Sequence, residues 1–294
     1  MPKSLSVIGA GVVGTAVGCL LRRKGYVVNG VVSRGPGKAE GAVRLIGAGR
    51  PGRDPVSGAK GSDWVFITTP DRAIKETCDK IAAGGGFKKG SLAVHLSGAL
   101  SSEILAKARE AGARALSIHP IQSLASVEQA MDNLPGSYFS MEGDPEAQAD
   151  GAEIVEALGG RLVVIPSDQK ALYHAGAAVA SNYLVTVVDY AITIFESLGM
   201  GREEALKAVL PLVRGTVNNI EKVGVPGALT GPIARGDTGT VEGHIAVLAR
   251  KLPDMVRLYC ELGKHAVVVG MAKGTLTREE GDRLLDVLNR RIQK

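Results

Sequence analysis

In the first half of the chain, short runs of successive apolar residues alternate with stretches in which apolar residues recur every three or four positions. Such short runs are typical of strands buried on both faces of a parallel sheet, and the longer spacing is typical of helices. The predicted strands are residues 5–8, 27–32, 64–68, 92–96, 115–118, 138–141 and 162–165. The predicted helices are residues 12–24, 72–83, 101–111 and 145–158. This alternation predicts a doubly wound, mostly parallel Rossmann sheet of the α/β class.

The pattern changes after Pro166, where the remaining sequence has helical periodicity and no convincing strand. The helices predicted there are residues 169–198, 202–223, 238–252, 253–270 and 277–292. We therefore expect two domains, an α/β domain at residues 1–166 and an all-helical domain at residues 167–294. Residues 35–62 are rich in Gly and Pro and are expected to form a loop with a short helix.

The positive charge of the chain is concentrated near its N-terminus. The 294 residues have a formal net charge of +5, but residues 1–60 hold ten basic and two acidic side chains. A nucleic-acid surface or a pocket for one highly charged small molecule could explain this bias. Only one Trp, six Tyr and four Phe are present, which argues against stacking platforms for single-stranded nucleic acid. We therefore expect a small-molecule partner.

The cysteines and the apolar segments indicate in which cellular compartment the protein is expected. Cys19, Cys78 and Cys260 are widely spaced and odd in number, which favours reduced thiols in a cytoplasmic protein and shows no zinc-binding spacing. The apolar stretch 5–21 contains four glycines and is interpreted as folded structure rather than a signal peptide. Because no run of 18 uninterrupted apolar residues occurs, no membrane span is expected.

A glycine-rich motif follows the first predicted strand and opens the first helix. In this setting, Gly9 permits a tight turn, Gly11 allows the backbone to approach a pyrophosphate, and Gly14 allows close packing of helix and strand. The pyrophosphate is expected at the helix N-terminus, where free N–H groups attract anions. The motif that predicts this dinucleotide site is Gly9, Ala10, Gly11, Val12, Val13 and Gly14.

The end of the second predicted strand favours NADP over NAD. An NAD site usually has Asp or Glu there to bind the ribose hydroxyl, but this chain has Ser33 and Arg34, and the next acid is Glu40. Ser33 and Arg34 can hydrogen-bond a 2′-phosphate, and Lys38 adds positive charge. The other basic residues of the segment, Arg44, Arg50 and Arg53, are interpreted as a solvated loop.

Two further strand ends are expected to contact the cofactor, because ligands of open α/β sheets bind outside the carboxyl ends of the strands. Thr68, Thr69, Pro70 and Asp71 close the strand at 64–68 and lead into a helix. Ser97 and Gly98 follow the strand at 92–96.

With these residues in view, the whole chain resembles a family of Rossmann-like oxidoreductases with a helical C-terminal domain of unknown function. The family is placed near pyrroline-5-carboxylate reductase, ketopantoate reductase and the hydroxyacid dehydrogenases. The resemblance implies an NADP-linked reaction and a homodimer formed through the helical domain, but no particular substrate. The motifs that carry it are HPIQS at 119–123, YHAGAAVASNY at 173–183 and TGPIARGD at 230–237.

A second, local resemblance concerns the histidine at the end of a strand. Prephenate dehydrogenases have a His-Pro pair after a strand that follows a Ser turn, which matches Ser97 and His119 here and implies that this histidine binds a substrate hydroxyl. The Lys-Asn spacing of hydroxyacid dehydrogenases is absent, since Lys170 stands too far from Asn182. Their general acid therefore cannot be transferred to this chain.

Histidine is the side chain best suited to exchange a proton near neutral pH during reduction of a carbonyl or imine. We expect His119 and His174 at the active site, and either could transfer the proton; for each, a hydrogen-bonded structural histidine is the alternative. The expected function is an NADP-dependent oxidoreductase acting on a small carbonyl, imine or hydroxy compound, and the alternative is a non-catalytic NADP-binding regulator. The residues expected to bind substrate are Ser97, Gln122, Ser123, Ser181, Asn182 and Arg235.

Overall fold

The computed structural model describes residues 2–290. Its first part contains an eight-stranded sheet in the order β3-β2-β1-β4-β5-β6-β7-β8. All neighbouring strands are parallel except β6 and β7, which are antiparallel. The strands are β1 (Ser4–Ile8), β2 (Val27–Val32), β3 (Arg50–Gly52), β4 (Trp64–Ile67), β5 (Leu92–His95), β6 (Arg114–Pro120), β7 (Tyr138–Gly143) and β8 (Arg161–Val164). The predicted doubly wound, mostly parallel sheet is confirmed.

Helices cover both faces of this sheet and bury its apolar residues in two clusters, one with α1 and α7 and one with α4 and α5. The helices of this part are α1 (Val12–Arg23), α2 (Lys38–Ile46), α3 (Pro55–Ala59), α4 (Asp71–Ala83), α5 (Ala106–Glu110), α6 (Val127–Asn133), α7 (Gln148–Ala157) and α8 (Lys170–Ala178). The predicted loop at 35–62 therefore contains two helices and the edge strand β3.

The C-terminal part is helical throughout its described residues, as predicted. Its helices are α9 (Leu184–Glu196), α10 (Arg202–Ala228), α11 (Thr238–Lys251), α12 (Pro253–Lys273) and α13 (Arg278–Asn289). A π-helix, Val179–Tyr183, connects α8 to α9, and α10 is broken at Gly224, whose φ is +73°. Residue 292, the predicted end of the last helix, lies outside the described residues.

The chain divides into two compact units, the first ending at Ser181 and the second beginning at Asn182. This division comes 15 residues after the expected boundary at 166. The sequence pattern changes where strands give way to helices, whereas α8 packs with the sheet domain through side chains described below. Each unit has a core of its own; that of the second unit is formed around α11, α12 and α13.

One stretch, Ser167–Glu196, is long and apolar enough to cross a membrane by length and composition alone. Only 6% of the most apolar 18 residues of this stretch are buried, so most of its apolar side chains are exposed in the single chain. The three cysteines are free and buried.

Candidate functional site

The glycine motif forms the turn between β1 and α1, and each glycine occupies a position where a side chain has a different consequence. Gly9 has φ +122°, and an added Cβ would lie 2.5 Å from the Thr68 carbonyl carbon. An added Cβ on Gly14 would lie 2.3 Å from Thr68 Oγ1, whose hydroxyl donates to Gly9 O at 2.7 Å. A Cβ on Gly11 meets no atom within 4 Å. Gly9 and Gly14 therefore serve the packing of β4 against the turn, while Gly11 faces open space.

The N-terminus of α1 is open to an anion. Gly11 is its N-cap residue, no side chain caps the helix, and its first turn contains no acidic residue. The first N–H groups of a helix have no partner within the helix, and the helix dipole adds positive potential there. An anionic group of a ligand fits this end of α1, as the sequence predicts.

A cavity of about 600 Å³ runs from this helix end along the carboxyl ends of β1, β2 and β4. Arg34, Lys38 and Arg53 form its basic side, with Ser33 between them and the turn. In the part of the chain that the structure describes, these three cations form no ion pair, whereas Lys80 is 3.5 Å from Asp54. Arg53, which the sequence analysis interprets as part of a solvated loop, is exposed and also lines the cavity.

Most of the residues expected to hold a cofactor line this cavity. Gly14 lies behind the turn, and Ser97 and Gly98 lie beyond the cavity at the end of β5. The expected residues that line it are Gly9, Ala10, Gly11, Val12, Val13, Ser33, Arg34, Lys38, Thr68, Thr69 and Pro70.

The turn after β5 connects the cavity wall with a second group of polar side chains. Ser97 Oγ donates to Asp71 Oδ2 at 2.9 Å, and Asp71 directly follows Pro70 of the cavity. His95 is fully buried; its Nδ1 accepts from Ser97 N at 3.2 Å and its Nε2 lies 3.2 Å from Ser101 O. Burial lowers the pKa of His95 to about 4. His95 therefore has a structural role in holding this turn.

The next strand end brings the two candidate histidines together. His119, at the end of β6, and His174, on α8, have ring centroids 6.0 Å apart. Both lie against Gly98: an added Cβ there would be 2.5 Å from His174 Cδ2 and 2.8 Å from His119 Nε2. His119 Nδ1 is 2.7 Å from the Tyr173 hydroxyl. The histidines thus share one polar site beside the β5 turn, within the first unit.

A buried lysine lies beneath this pair. Lys170 is 2% exposed, and its Nζ donates to Ser117 Oγ on β6 at 2.7 Å. Burial lowers the pKa of Lys170 to about 8, while the charge of Glu142 acts in the opposite direction. Burial also lowers the pKa of His119 to about 4, and the Lys170 charge adds to this. The His119 imidazole is therefore neutral at physiological pH.

The remaining candidates lie elsewhere on the fold. Gln122 donates to Ser137 Oγ at 3.2 Å and lines another, open cavity with residues 132–133 and 135–138, while Ser123 is exposed. The structure does not bring either side chain to the nucleotide cavity. Ser181 is exposed in the π-helix that ends the first unit. Asn182 and Arg235 belong to the second unit, and their expected roles stay predictions.

Sequence reasoning assigned no role at this site to Lys170 or Tyr173. Asp71 belongs to the predicted strand-end segment, but its contact with Ser97 was not predicted. Lys170, Tyr173 and His174 are spaced i, i+3 and i+4, which places them on one face of a helix. The spacing of these three residues could have indicated that they share one helix face. The sequence could not show which strand that face packs against. No group of three or more potential metal ligands occurs within residues 2–290.

In comparisons with known proteins, each of the two parts of the chain matches a known domain. Residues 2–120 match the Rossmann-like domain, and residues 137–266 match a domain of unknown function, DUF2520. The crystal structure of protein TM1727 from Thermotoga maritima is 30% identical, with a TM-score of 0.74, over 92% of this chain and 99% of that one. The first part of the chain thus has a Rossmann-like fold. The chain belongs to the family that joins a Rossmann-like domain to a DUF2520 domain.

More distant structures share the fold. BF3122 from Bacteroides fragilis, described as a candidate NADP oxidoreductase, is 22% identical with a TM-score of 0.72 over 90% of this chain and 98% of that one. A pyrroline-5-carboxylate reductase from Coxiella burnetii is 19% identical with a TM-score of 0.58 over 94% of this chain and 100% of that one. Comparison with curated proteins finds no match to the sequence.

Proposed function

We propose that the protein is an NADP-dependent oxidoreductase that acts on a small carbonyl, imine or hydroxy compound. The observation that carries the proposal is the cavity at the N-terminus of α1, with Gly11 facing open space and basic residues on one side. The β5 turn connects this cavity to a pair of histidines. Structures of the same fold include a candidate NADP oxidoreductase and a pyrroline-5-carboxylate reductase. A non-catalytic NADP-binding regulator would need the cavity but not the paired histidines.

The residues of the cavity fit the parts of the nucleotide. The uncapped first turn of α1 would bind the pyrophosphate, which can approach because Gly11 has no side chain. Ser33, Arg34 and Arg53 would bind the 2′-phosphate, for which Arg provides charge-assisted hydrogen bonds. When bound, the nicotinamide supplies or accepts a hydride. The protein must supply orientation and a proton, and His119 and His174 are the candidates for the latter.

The preference for NADP tests this assignment directly. NADPH should bind at least about tenfold more tightly than NADH, a difference of about 1.4 kcal/mol. Arg34→Ala should remove most of that preference while changing NADH affinity little, because the lost contact is with the 2′-phosphate alone. Both affinities can be measured by fluorescence titration.

Arg44→Ala is the matched control, because Arg44 is exposed on α2 and does not line the cavity. It removes the same charge and should leave the preference intact. Equal affinities of the unaltered protein for NADPH and NADH would overturn the 2′-phosphate assignment.

We also propose that the protein is a homodimer formed through its helical part. In α9, Ile192 is buried, whereas Val185 is 70% exposed and Leu184 is 43% exposed. Leu172, on α8, is 74% exposed. Exposed apolar side chains of this kind, such as Leu184 and Val185 on α9, mark an interface when they form a patch. A second copy of the chain is the occupant that the family resemblance implies.

Light scattering after size exclusion should therefore give the mass of a dimer at micromolar concentration. Val185→Glu places a charge in the proposed interface and should shift the mass toward a monomer. Leu45→Glu alters a 56% exposed leucine on α2 and should leave the dimer intact. A monomer for the unaltered protein, or partition into lipid vesicles in place of dimer formation, would count against the proposal.

A further inference from the structure

Two elements of the first unit, β6 and α8, form a partly buried polar cluster, of which the proposed function uses only His119. Ser117 and His119 are two positions apart on β6 and therefore lie on the same face of the strand. Lys170 and Tyr173 share one face of α8. Each of the α8 side chains meets one from β6: Lys170 Nζ contacts Ser117 Oγ, and the Tyr173 hydroxyl contacts His119 Nδ1, both at 2.7 Å.

The bond to Tyr173 bears on which nitrogen of His119 carries the proton. A neutral imidazole has one donor nitrogen and one acceptor nitrogen. If the phenol donates to Nδ1, the proton resides on Nε2, the nitrogen that lies against Gly98 at the end of β5. Gly98 has no side chain, so it leaves this nitrogen uncovered. His119 would then present an N–H group at the carboxyl ends of the strands.

The charges around the cluster favour that arrangement. The Lys170 ammonium lies 5.6 Å from the centroid of the Tyr173 ring, and its charge disfavours a second proton on His119. His174 also lies against His119, with ring centroids 6.0 Å apart. The nearby carboxylates are engaged elsewhere: Glu142 accepts from Ser102 and Ser167, and Asp71 accepts from Ser97. No carboxylate is thus hydrogen-bonded to His119 in the described residues.

We propose that Tyr173, placed beside Lys170, is a positioning residue that fixes His119 as a neutral Nε2–H donor for the oxygen of a carbonyl substrate. This inference rests on the proposed function and narrows its substrate class. Lys170 contributes through its charge and its contact with Ser117, without touching the substrate.

The proton balance distinguishes a carbonyl from a protonated imine. Reduction of a carbonyl adds a hydride, supplied by the reduced nicotinamide, to carbon and a proton to oxygen. The oxygen takes the Nε2 proton of His119, Nδ1 takes the hydroxyl proton of Tyr173, and solvent returns a proton to the Tyr173 oxygen. A protonated imine becomes a neutral amine on hydride addition alone and needs no donor. Its positive charge is also disfavoured near Lys170. The site therefore fits the carbonyl–alcohol pair.

The tautomer of His119 tests the positioning role without any substrate. In protein labelled with ¹⁵N-histidine, the His119 signals, assigned by comparison with His119→Gln, should show a proton on Nε2 and none on Nδ1 from pH 8 to pH 5. Tyr173→Phe keeps the ring and removes the hydroxyl, and it should give a mixture of tautomers. A proton on Nδ1 in the unaltered protein, or an unchanged tautomer in Tyr173→Phe, would overturn the role of Tyr173.

The second unit offers a matched control for this experiment. Tyr259 hydroxyl lies 2.8 Å from His244 Nδ1, so that Tyr259→Phe also removes a phenol–imidazole hydrogen bond. Tyr259→Phe should change the His244 signals and leave those of His119 unchanged. Tyr173→Phe should do the reverse.

The substrate class is tested with NADPH and parallel series of small ketones, aldehydes and cyclic imines. Carbonyl compounds should be reduced, and Tyr173→Phe should lower kcat by about 100-fold with little change in KM. Turnover of imines alone would overturn the carbonyl assignment while leaving the proposed function in place. Absence of turnover in both series, with NADPH bound, would count against the proposed function itself, and the tautomer would still decide the role of Tyr173.

Discussion

Gly11→Ala should abolish tight nucleotide binding while leaving the fold intact. The backbone of Gly11 has φ −90° and ψ −171°, which alanine adopts readily, and an added Cβ meets no protein atom within 4 Å. The methyl group would instead occupy the space through which a pyrophosphate approaches the N-terminus of α1. We expect the affinity for NADPH to fall by about 100-fold, or about 2.7 kcal/mol. The melting temperature without ligand should not change.

Gly14→Ala should have the opposite effects, lowering the stability of the fold more than the affinity for NADPH. Its Cβ would lie 2.3 Å from Thr68 Oγ1 and 2.6 Å from Gly9 O, so β4 and the turn would have to separate. Overpacking of this kind costs about 1–3 kcal/mol of unfolding free energy. Thermal melts without ligand and calorimetric titration with NADPH separate the two effects.

Gly41→Ala is the control for adding a methyl group to a helix of the same unit, because its Cβ would meet only Arg44 Nη2, at 3.8 Å. It should change neither quantity appreciably. Normal NADPH affinity in Gly11→Ala would show that the pyrophosphate does not approach this turn.

The central strands of the sheet could be predicted because they are buried on both faces and therefore apolar at successive positions. The edge strand β3 could not: its three residues, Arg-Pro-Gly, pair only with β2 and carry no apolar run. Where α2 lies, the sequence pattern predicts only a loop with a short helix, for a related reason. Helix α2 begins after Gly37, which has φ +69°, and it buries the small residues Ala39 and Ala42 beside Ile46, so its apolar face is weak in the sequence.

Some features of the candidate site could likewise be predicted from the sequence, and others could not. The glycine turn and the strand-end residues follow from local sequence, since the carboxyl ends of parallel strands meet at one edge of the sheet. The contacts of His119 with Tyr173 and of Ser117 with Lys170 join residues 54 and 53 positions apart. Such pairs depend on how α8 packs against β6, which no local pattern encodes. The same packing explains why the first unit extends to Ser181 rather than ending at the Pro166 change in pattern.

Acid should destabilise the first unit well above the pH at which its carboxylates are protonated. Burial lowers the pKa of His95 to about 4 in the folded state, against about 6.5 when the chain is unfolded. The unfolded chain therefore binds more protons between these values. The stabilisation is fully present above pH 6.5 and is lost as pH falls toward 4. At pH 5 the loss from His95 is about 2 kcal/mol, and half-buried His119 adds a smaller amount in the same direction.

The fluorescence of Trp64, the only tryptophan, can follow this loss in urea titrations at pH 7 and pH 5, because Trp64 is buried in the first unit. His95→Gln can still donate to Ser101 O but no longer titrates, so its difference in unfolding free energy between the two pH values should be smaller by about 2 kcal/mol. Any constant cost of the substitution cancels in that difference. His265→Gln alters an exposed histidine of the second unit and should leave the difference unchanged.

The interval from pH 7 to pH 5 isolates the histidine contribution from that of paired carboxylates. The hydrogen bond from Lys88 lowers the pKa of Asp63 to about 2, so the stabilisation it provides is lost only below about pH 4. A His95→Gln protein that loses as much stability as the unaltered one between pH 7 and pH 5 would show that His95 accepts a proton without leaving its buried site. In that case the bond from Ser97 N to His95 Nδ1 would have to break in acid, and the β5 turn beside His119 would rearrange with it.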